Sequence, residues 1–428
     1  MATKWVSSSA RGGDNGSDYA NAWGDVNDAW AWLDASGTTN DAINLVNDGI
    51  HTLPTSATQI SNGLTGTNYD TDPGFIVRGV DSSGNPDTVT MQAQAGLGSQ
   101  FISLRGGARF VAVDGVIWDH STADPTQGTS IVRMRDATAG PARVQEFEFI
   151  GYNDNDADTG KGVRRMFDNP GGVSPIDWGE AAYGIFRNCY GVFDVGSPTT
   201  VKNIVHHCVY WIKGEWVETF SALSSFHYND NDSNTIGWYN NTLYAEIDDD
   251  VAAVVSYPAN GTDAGDVDFH SNVLWIESSS ASGTVITEVF GGTGGGSLVN
   301  EPTGDIGYNV LYTGPSIASG KVASFYQDPW EDSEDPKTTD NVAYEVTAST
   351  LFNVPGSSWT WPNVNGSGYN LTVPGDLRIL LHLTGGLGST LPGALPGAMP
   401  PQTEKTIATG SQTEKTIATG TQTEKYIQ

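Results

Sequence analysis

Four acidic residues in the middle of the chain stand close to tryptophans, in a pattern suited to carbohydrate chemistry. Hydrolysis of a glycosidic bond needs two carboxyl groups across the scissile bond, and tryptophan rings offer flat apolar faces on which sugars can stack. The candidate catalytic acids are Glu215, Glu218, Asp230 and Asp232, with Lys213 and His227 nearby, and the candidate stacking residues are Trp211 and Trp216. The competing interpretation is that these acids are solvated loop residues in a chain that has 50 of them.

A polysaccharide lyase would instead need a base and a cation that neutralises the carboxylate of the substrate. The sequence shows no cluster of Arg and Lys at suitable spacing, so bound calcium would have to replace it. Asp154, Asp156 and Asp158 offer oxygen ligands at alternate positions. They lack the following Gly and distal Glu of a full calcium loop, and a metal-free acidic turn is the simpler interpretation. We therefore expect no cofactor. If these loops do bind an ion, Ca²⁺ is the one expected.

Two further pairs of residues invite a chemical interpretation that the sequence does not favour. His206 and His207 are adjacent, but no other spaced His or Cys completes a zinc site, so they are predicted to be a packing or ladder pair. Cys189 and Cys208 are the two cysteines of the chain. They do not form a disulfide framework, and we expect two reduced thiols in the core.

The composition narrows the classes of partner. The chain of 428 residues has 50 acidic and 20 basic residues and a formal net charge of −30. Such a surface repels phosphates, so nucleic acid and anionic membranes are not expected to bind. No apolar run is long enough to span a membrane, and the first residues lack the apolar region of a signal peptide.

A short phrase that recurs through the middle of the chain predicts the fold that must position these residues. Residues 241–244, 272–275 and 309–312 read Asn-Thr-Leu-Tyr, Asn-Val-Leu-Trp and Asn-Val-Leu-Tyr, with looser copies near Asn188 and His207. The intervals vary, which favours coils of short strands with loops of different length. We therefore predict an all-β fold, a right-handed parallel β-helix, in which corner Asn, Asp and His side chains hydrogen-bond from coil to coil. An antiparallel sandwich is the alternative.

The N-terminal region is predicted to close one end of this β-helix. Residues 4–9 have the pattern of a first strand, and a loop rich in Gly, Asp, Asn and Ser follows. Asp25 is typical of a helix N-cap, with Asp28 in the first turn. The apolar residues at helical spacing are Val26, Ala29, Trp30 and Leu33. An amphipathic helix there would cover the unpaired strand edges of the first coil.

Four stretches resemble the pectate-lyase-like β-helix superfamily. Residues 4–8 (Lys-Trp-Val-Ser-Ser) and 17–23 (Ser-Asp-Tyr-Ala-Asn-Ala-Trp) are similar to its opening, and residues 78–84 (Arg-Gly-Val-Asp-Ser-Ser-Gly) and 113–116 (Val-Asp-Gly-Val) to its early coils. The resemblance covers about residues 1–320 and implies the fold. Many such proteins are bacteriophage tailspikes, fibres and other virion appendages. The superfamily includes lyases, glycoside hydrolases and non-catalytic binders, so the resemblance does not decide activity.

The composition changes along the chain predict five regions. They are an N-terminal strand and capping helix (1–40), a β-helix body (41–320), a closing region with a further short capping helix (321–383), a Gly/Pro linker (384–401) and a repeat tail (402–428). In the tail, residues 402–410 recur as 412–420 and, in part, as 422–428. Each copy carries one isoleucine: Ile407, Ile417 and Ile427. We interpret the tail as an extended segment whose isoleucines anchor three docking strands on a partner; a disordered low-complexity tail is the alternative.

These features favour a structural bacteriophage protein on the virion surface, assembled in the host cytoplasm. It would decorate the head or form a tail fibre or spike, bind other virion proteins through its tail, and stabilise the particle or bind a host-surface glycan. A homotrimer is the favoured assembly. The alternatives are a polysaccharide-degrading tailspike depolymerase or lyase on the same fold, and an adhesin secreted by a non-classical route.

Overall fold

The computed structural model describes most of the N-terminal half of the chain and the strands of the rest. The described residues are 1–94, 100–121, 129–134, 140–150, 163–169, 177–187, 190–195, 201–213, 222–228, 235–247, 251–257, 266–270, 272–278, 286–292, 306–307, 310–313, 322–326 and 342–345.

The described residues form an all-β fold of three sheets in which every pairing between strands is parallel. From Asp41 to Tyr326 the chain visits the first, second and third sheets in rotation, so that each circuit, here called a coil, adds one strand to each sheet. A strand therefore pairs with its equivalents one coil before and one coil after it. This arrangement excludes the antiparallel sandwich.

The strand bounds follow this rotation. The first sheet contains Thr3–Val6, Asp41–Val46, Phe75–Val80, Val111–Asp114, Ala142–Gln145, Asp177–Ala182, Val201–His206, Thr235–Tyr239, Asp266–His270 and Ile306–Gly307. The second contains His51–Thr52, Val89–Gln92, Val116–Asp119, Glu148–Ile150, Ile185–Arg187, Val209–Lys213, Thr242–Ile247, Val273–Ser278, Val310–Thr313 and Val342–Glu345. The third contains Gln59–Ile60, Gln100–Leu104, Thr129–Met134, Val163–Asn169, Tyr190–Val195, Ala222–Tyr228, Val251–Tyr257, Ile286–Gly292 and Val322–Tyr326.

The recurring phrase of the sequence lies in register in the second sheet, as predicted. Leu243 pairs with Leu274, and Tyr244 with Trp275, which in turn pairs with Tyr312. The leucines are fully buried where their side chains are described, at Leu243 and Leu274. Equivalent residues therefore stack from coil to coil although the loops between them differ in length.

A continuous column of aromatic rings fills the interior between the sheets. Neighbouring rings along the column have centroids 4.5 to 6.4 Å apart. In order they are Trp30, Phe101, Trp118, Phe147, Phe186, Tyr210, Trp238 and Phe269. Trp238 Nε1 donates to the buried Tyr210 hydroxyl at 3.2 Å, so a polar handle of the column is satisfied internally.

The predicted capping helix is confirmed and spans Val26–Ser36. Asp25 is its N-cap and accepts a hydrogen bond from the Asn27 N–H, and the four apolar residues predicted for its inner face are buried. Trp30 starts the aromatic column, so the helix covers the N-terminal end of the core.

The first strand is shorter than predicted and ends at Val6 rather than at Ser9. Ser7 and Ser8 leave the sheet because they bind the carboxylate of Asp48. Arg11 completes this contact at 2.9 Å.

Candidate functional site

The catalytic, calcium and tail residues predicted from the sequence lie outside the described residues, and these assignments stay predictions. They are Glu215, Glu218, Asp230, Asp232, Trp216, Asp154, Asp156, Asp158, Ile407, Ile417 and Ile427. The backbone of Trp211 lies in the second-sheet strand Val209–Lys213, in register with Arg187 and Tyr244 of the adjacent coils. The predicted capping helix of residues 321–383 and Cys189 also fall outside the described part.

The tight corner between the first and second sheets carries the predicted amide ladder. The Cys208 N–H donates to Asn241 Oδ1 at 2.9 Å, and the Asn241 N–H donates to Asn272 Oδ1 at 2.9 Å. The side-chain amides in turn donate to the carbonyls of Val205 and Trp238, at 3.0 and 2.9 Å. Each amide thus satisfies one backbone N–H and one carbonyl of the preceding coil, which would otherwise be buried without partners.

The same corner bends through a left-handed residue on each coil. Glu146, Tyr183, His207 and Asn240 occupy equivalent positions with φ of 52° to 54°. Each donates its backbone N–H to a carbonyl of the following coil, at 3.2 to 3.4 Å. A positive φ is costly for residues other than Gly and Asn, and the stacked backbone hydrogen bonds hold it in place.

The adjacent histidines pack within this corner, which confirms their prediction as a packing pair. His206 Nε2 lies 2.9 Å from Glu180 Oε1, and the Nδ1 atoms of His206 and His207 lie 2.9 Å apart. The His206 ring stacks on Tyr239. Burial, aided by the neighbouring His206, lowers the pKa of His207 to about 4, so that its ring is neutral at neutral pH. Among the described residues no group of three or more His, Cys, Asp or Glu side chains could hold a metal ion.

Cys208, next to these histidines, is a free and fully buried thiol, as predicted. Burial raises its pKa to about 12, so the reactive thiolate form is suppressed.

A charged cluster lies on the outer face of the first sheet, beside the same corner. Arg143 ion-pairs with Asp70 at 3.2 Å, and its guanidinium lies 4.8 Å from the centre of the Tyr69 ring. Ala112, the register partner of Arg143, is also fully buried although it is not part of the central core. The loop that carries Tyr69 and Asp70 therefore covers this part of the sheet.

Asp114 is the group of this cluster whose pKa lies near neutral pH. Its pKa is raised from 3.8 to about 7, mainly by burial; Arg143 and a hydrogen bond from Gln145 oppose the rise, and the acidic neighbours Glu146 and Asp70 add to it. Its Oδ1 atom is buried without a hydrogen-bond partner. A carboxyl group that is half protonated near neutral pH can serve as a proton donor or as a hydrogen-bond donor.

Glu180 stands one coil further along, directly in register with Arg143. Its side chain is 18% exposed and accepts the hydrogen bond from His206. Its negative charge raises the pKa of both Tyr69 and Tyr239, after burial as the main cause. Glu180 therefore links the covered part of the face to the stacked rings of the later coils. We refer to Tyr69, Asp70, Asp114, Arg143 and Glu180 together as the Asp114 cluster.

No motif of the sequence indicates the Asp114 cluster. Asp114 was part of a stretch assigned only to the fold, and Arg143 and Glu180 belong to no motif. The available signal was positional, since Asp114 comes directly before the corner glycine Gly115, and Glu180 precedes the corner of its own coil.

No family model and no curated protein matches this chain. Three chains of solved structures match. One of them is a GH136 lacto-N-biosidase from Eubacterium ramulus, with 8% sequence identity and a TM-score of 0.28 over 81% of this chain and 67% of that one. At this TM-score the likeness carries no argument about fold or activity.

Among the described residues, no helix is long and apolar enough to cross a membrane.

Proposed function

We propose that this chain is a structural protein of a bacteriophage particle surface, with a right-handed parallel β-helix as a rigid body and the repeat tail as its attachment. The observation that carries the proposal is the uninterrupted core of the body. Its aromatic column runs from the capping helix to Phe269, and its corner is tied by the amide ladder. The rotation of the chain through three parallel sheets and the sequence resemblance to the pectate-lyase-like superfamily support the β-helix.

A body of this kind suits a role in presentation. Every coil packs on its two neighbours, and aromatic pairs add to the stability beyond the area that they bury. The strongly acidic composition keeps such a rod soluble and away from nucleic acid and anionic membranes. The exposed faces are then available to stabilise the particle or to bind a host-surface glycan, in a homotrimer or another assembly on the head or the tail.

The tail is the attachment element of this proposal. Each copy has one isoleucine and a neighbouring Glu-Lys pair of opposite charge, so a single copy cannot form a core of its own. Three linked copies raise the effective concentration of the second and third contacts once the first has formed.

The test is occupancy of the protein on purified particles. Deletion of residues 402–428 is expected to remove the protein from particles while the body stays folded, and deletion of residues 422–428 alone is expected to cause a smaller loss. The matched control is replacement of Ile407, Ile417 and Ile427 by Leu, which keeps apolar anchors. Full occupancy after deletion of all three copies would show that the tail is not the anchor.

A second candidate, a polysaccharide-degrading enzyme on the same fold, is favoured by the raised pKa of Asp114 beside Arg143 and Glu180. In this case Asp114 would be the proton donor and Glu180 the second carboxyl group. Incubation with neutral and acidic bacterial polysaccharides tests it. Cleavage abolished by Asp114→Asn and Glu180→Gln would establish this function, and cleavage abolished by Glu215→Gln or Asp232→Asn would place the activity at the acids predicted from the sequence. Absence of cleavage would leave the structural role.

A further inference from the structure

Two buried polar atoms with no hydrogen-bond partner meet on the outer face of the first sheet. They are Asp114 Oδ1, an acceptor, and Arg143 Nε, a donor. Asp114 pairs with Gln145, two residues beyond Arg143 on the adjacent strand, so the two side chains are diagonal neighbours on one face. A buried donor or acceptor left without a partner is destabilising, which makes an unpaired donor and acceptor on one face an unusual arrangement in a folded protein.

Polar groups continue from this pair along the axis of the stack. Glu180 is in register with Arg143 on the next coil, and His206, its hydrogen-bond partner, lies on the coil after that. Adjacent strands are about 4.8 Å apart, so the strands from Asp114 to His206 span roughly 14 Å. Glu180 and His206 are partly exposed, at 18% and 13%. The row therefore runs from a covered end to a solvent-accessible one.

The charges around this row indicate what can bind to it. The described charged side chains around this row are two guanidiniums and four carboxyls: Arg78 (in register with Asp114), Arg143, Asp70, Asp114, Glu146 and Glu180. The carboxyls outnumber the guanidiniums, and Arg143 is already paired with Asp70, so an anionic ligand is disfavoured there. A hydroxyl group, which both donates and accepts, can satisfy Asp114 Oδ1 and Arg143 Nε together.

We propose that the Asp114 cluster binds an uncharged carbohydrate, with ligand hydroxyls paired to Asp114, Arg143 and Glu180. The partly exposed rings of Tyr239 and His270, which stack on each other 5.0 Å apart, flank the accessible end of the row. The loop with Tyr69 and Asp70 covers the other end. A ligand that reaches Arg143 must displace this loop, and the half-exposed Asp70, whose side chain is 48% exposed, is its outermost contact.

The experiment is binding of the full-length protein to an array of bacterial surface glycans that contains uncharged and uronate-bearing chains. The wild type is expected to bind uncharged glycans. Asp114→Leu and Arg143→Lys are expected to weaken that binding at least 10-fold, because each removes one of the two unpaired groups. Glu180→Gln provides a milder variant at a partly exposed position. Asp70→Asn, which loosens the covering loop, is expected to speed association.

Asp14→Asn is the matched control, since Asp14 is an exposed carboxyl in the N-terminal loop, near Asp28 of the capping helix. Thermal melts establish that each variant is folded, and Glu180→Gln keeps the test decisive if Asp114→Leu does not fold. The proposal is overturned if the wild type binds no glycan or only uronate-bearing ones, or if Glu180→Gln and Arg143→Lys both bind as Asp14→Asn does. Such a result would not affect the attachment role of the tail, which particle occupancy measures independently.

Discussion

The corner between the first and second sheets is built in two opposite ways in the two halves of the molecule. In the earlier coils the buried corner positions are apolar, as at Val116 and Phe147, and the outward position just before the corner is polar, as at Asp114 and Gln145. In the later coils the buried corner positions are the amides of Asn241 and Asn272.

Rings take the outward position in those later coils, where His206, Tyr239 and His270 stack in register. Cys208 lies between the apolar corners and the amide corners. Its thiol is buried like the apolar residues, and its N–H donates to Asn241, the first amide of the ladder. The same backbone turn is therefore stabilised by interior packing in one half and by interior hydrogen bonds in the other. Where packing fills the inside, charged groups collect outside, and these form the Asp114 cluster.

The largest effect is expected where the ladder is cut. Asn241→Leu removes the acceptor for the Cys208 N–H and the donor for the Val205 carbonyl, and leaves both groups buried without partners. At about 1–3 kcal/mol for each group, we expect a loss of roughly 2–6 kcal/mol in the free energy of unfolding. Chemical denaturation measures it. Cys208→Ala is the control and is expected to cost less. An equal or smaller loss for Asn241→Leu would remove the distinction between the two corner types.

The next largest effect concerns the charge outside the packed corner. The folded-state pKa of Asp114, about 7, lies above its usual 3.8. Below pH 4 the carboxyl is protonated in both states and costs the fold nothing; as the pH rises towards 7 the unfolded chain ionises more readily, so the free energy of unfolding falls. Asp114→Asn removes that loss. We expect it to stabilise the protein by up to about 4 kcal/mol at pH 8 and by little at pH 4, in denaturation series at both pH values. A pH-independent difference would contradict the raised pKa.

A third test concerns the packed corner itself. A Cβ atom at Gly184 would lie 2.2 Å from the Phe147 ring, so Gly184→Ala is expected to destabilise the protein by about 1–3 kcal/mol through overpacking. Phe147→Leu makes room, and the double variant should be less destabilised than the sum of the two single changes. Additive effects in thermal melts would show that the corner is not packed by this ring.

The smallest effect is expected at the left-handed corner position, which is occupied by His in one coil and by Asn in the next. His207 and Asn240 occupy equivalent left-handed positions, so Asn fits the backbone at 207. Because the pKa of His207 is lowered to about 4, the unfolded chain binds a proton that the folded protein does not, and stability falls as the pH drops from about 6.5 to 4. His207→Asn is expected to raise the melting temperature by a few degrees at pH 4.5 relative to its effect at pH 7.5. No such relative gain would indicate that His207 charges freely in the fold.

The sequence predicts those elements whose signal is local or is repeated at equivalent positions. The helix Val26–Ser36 was predicted together with its N-cap, because Asp25 and the apolar spacing lie within one short window. The amide ladder was predictable because Asn241 and Asn272 open the same recurring phrase. The Asp114 cluster could not be predicted in this way. Its members meet only because unequal loops return the chain to the same sheet, with 29 residues from Asp114 to Arg143 and 37 from Arg143 to Glu180.

Because the tight corner is so short, insertions are tolerated less well there than at the other two edges of each coil. From Gln145 onward, two residues join the first sheet to the second on each coil, whereas 14 separate Ile60 of the third sheet from Phe75 of the first. An insertion at the corner would disrupt the register of a coil with both of its neighbours. New segments can therefore be accommodated along the other two edges of the coils, and diversification of this fold is confined to those sides.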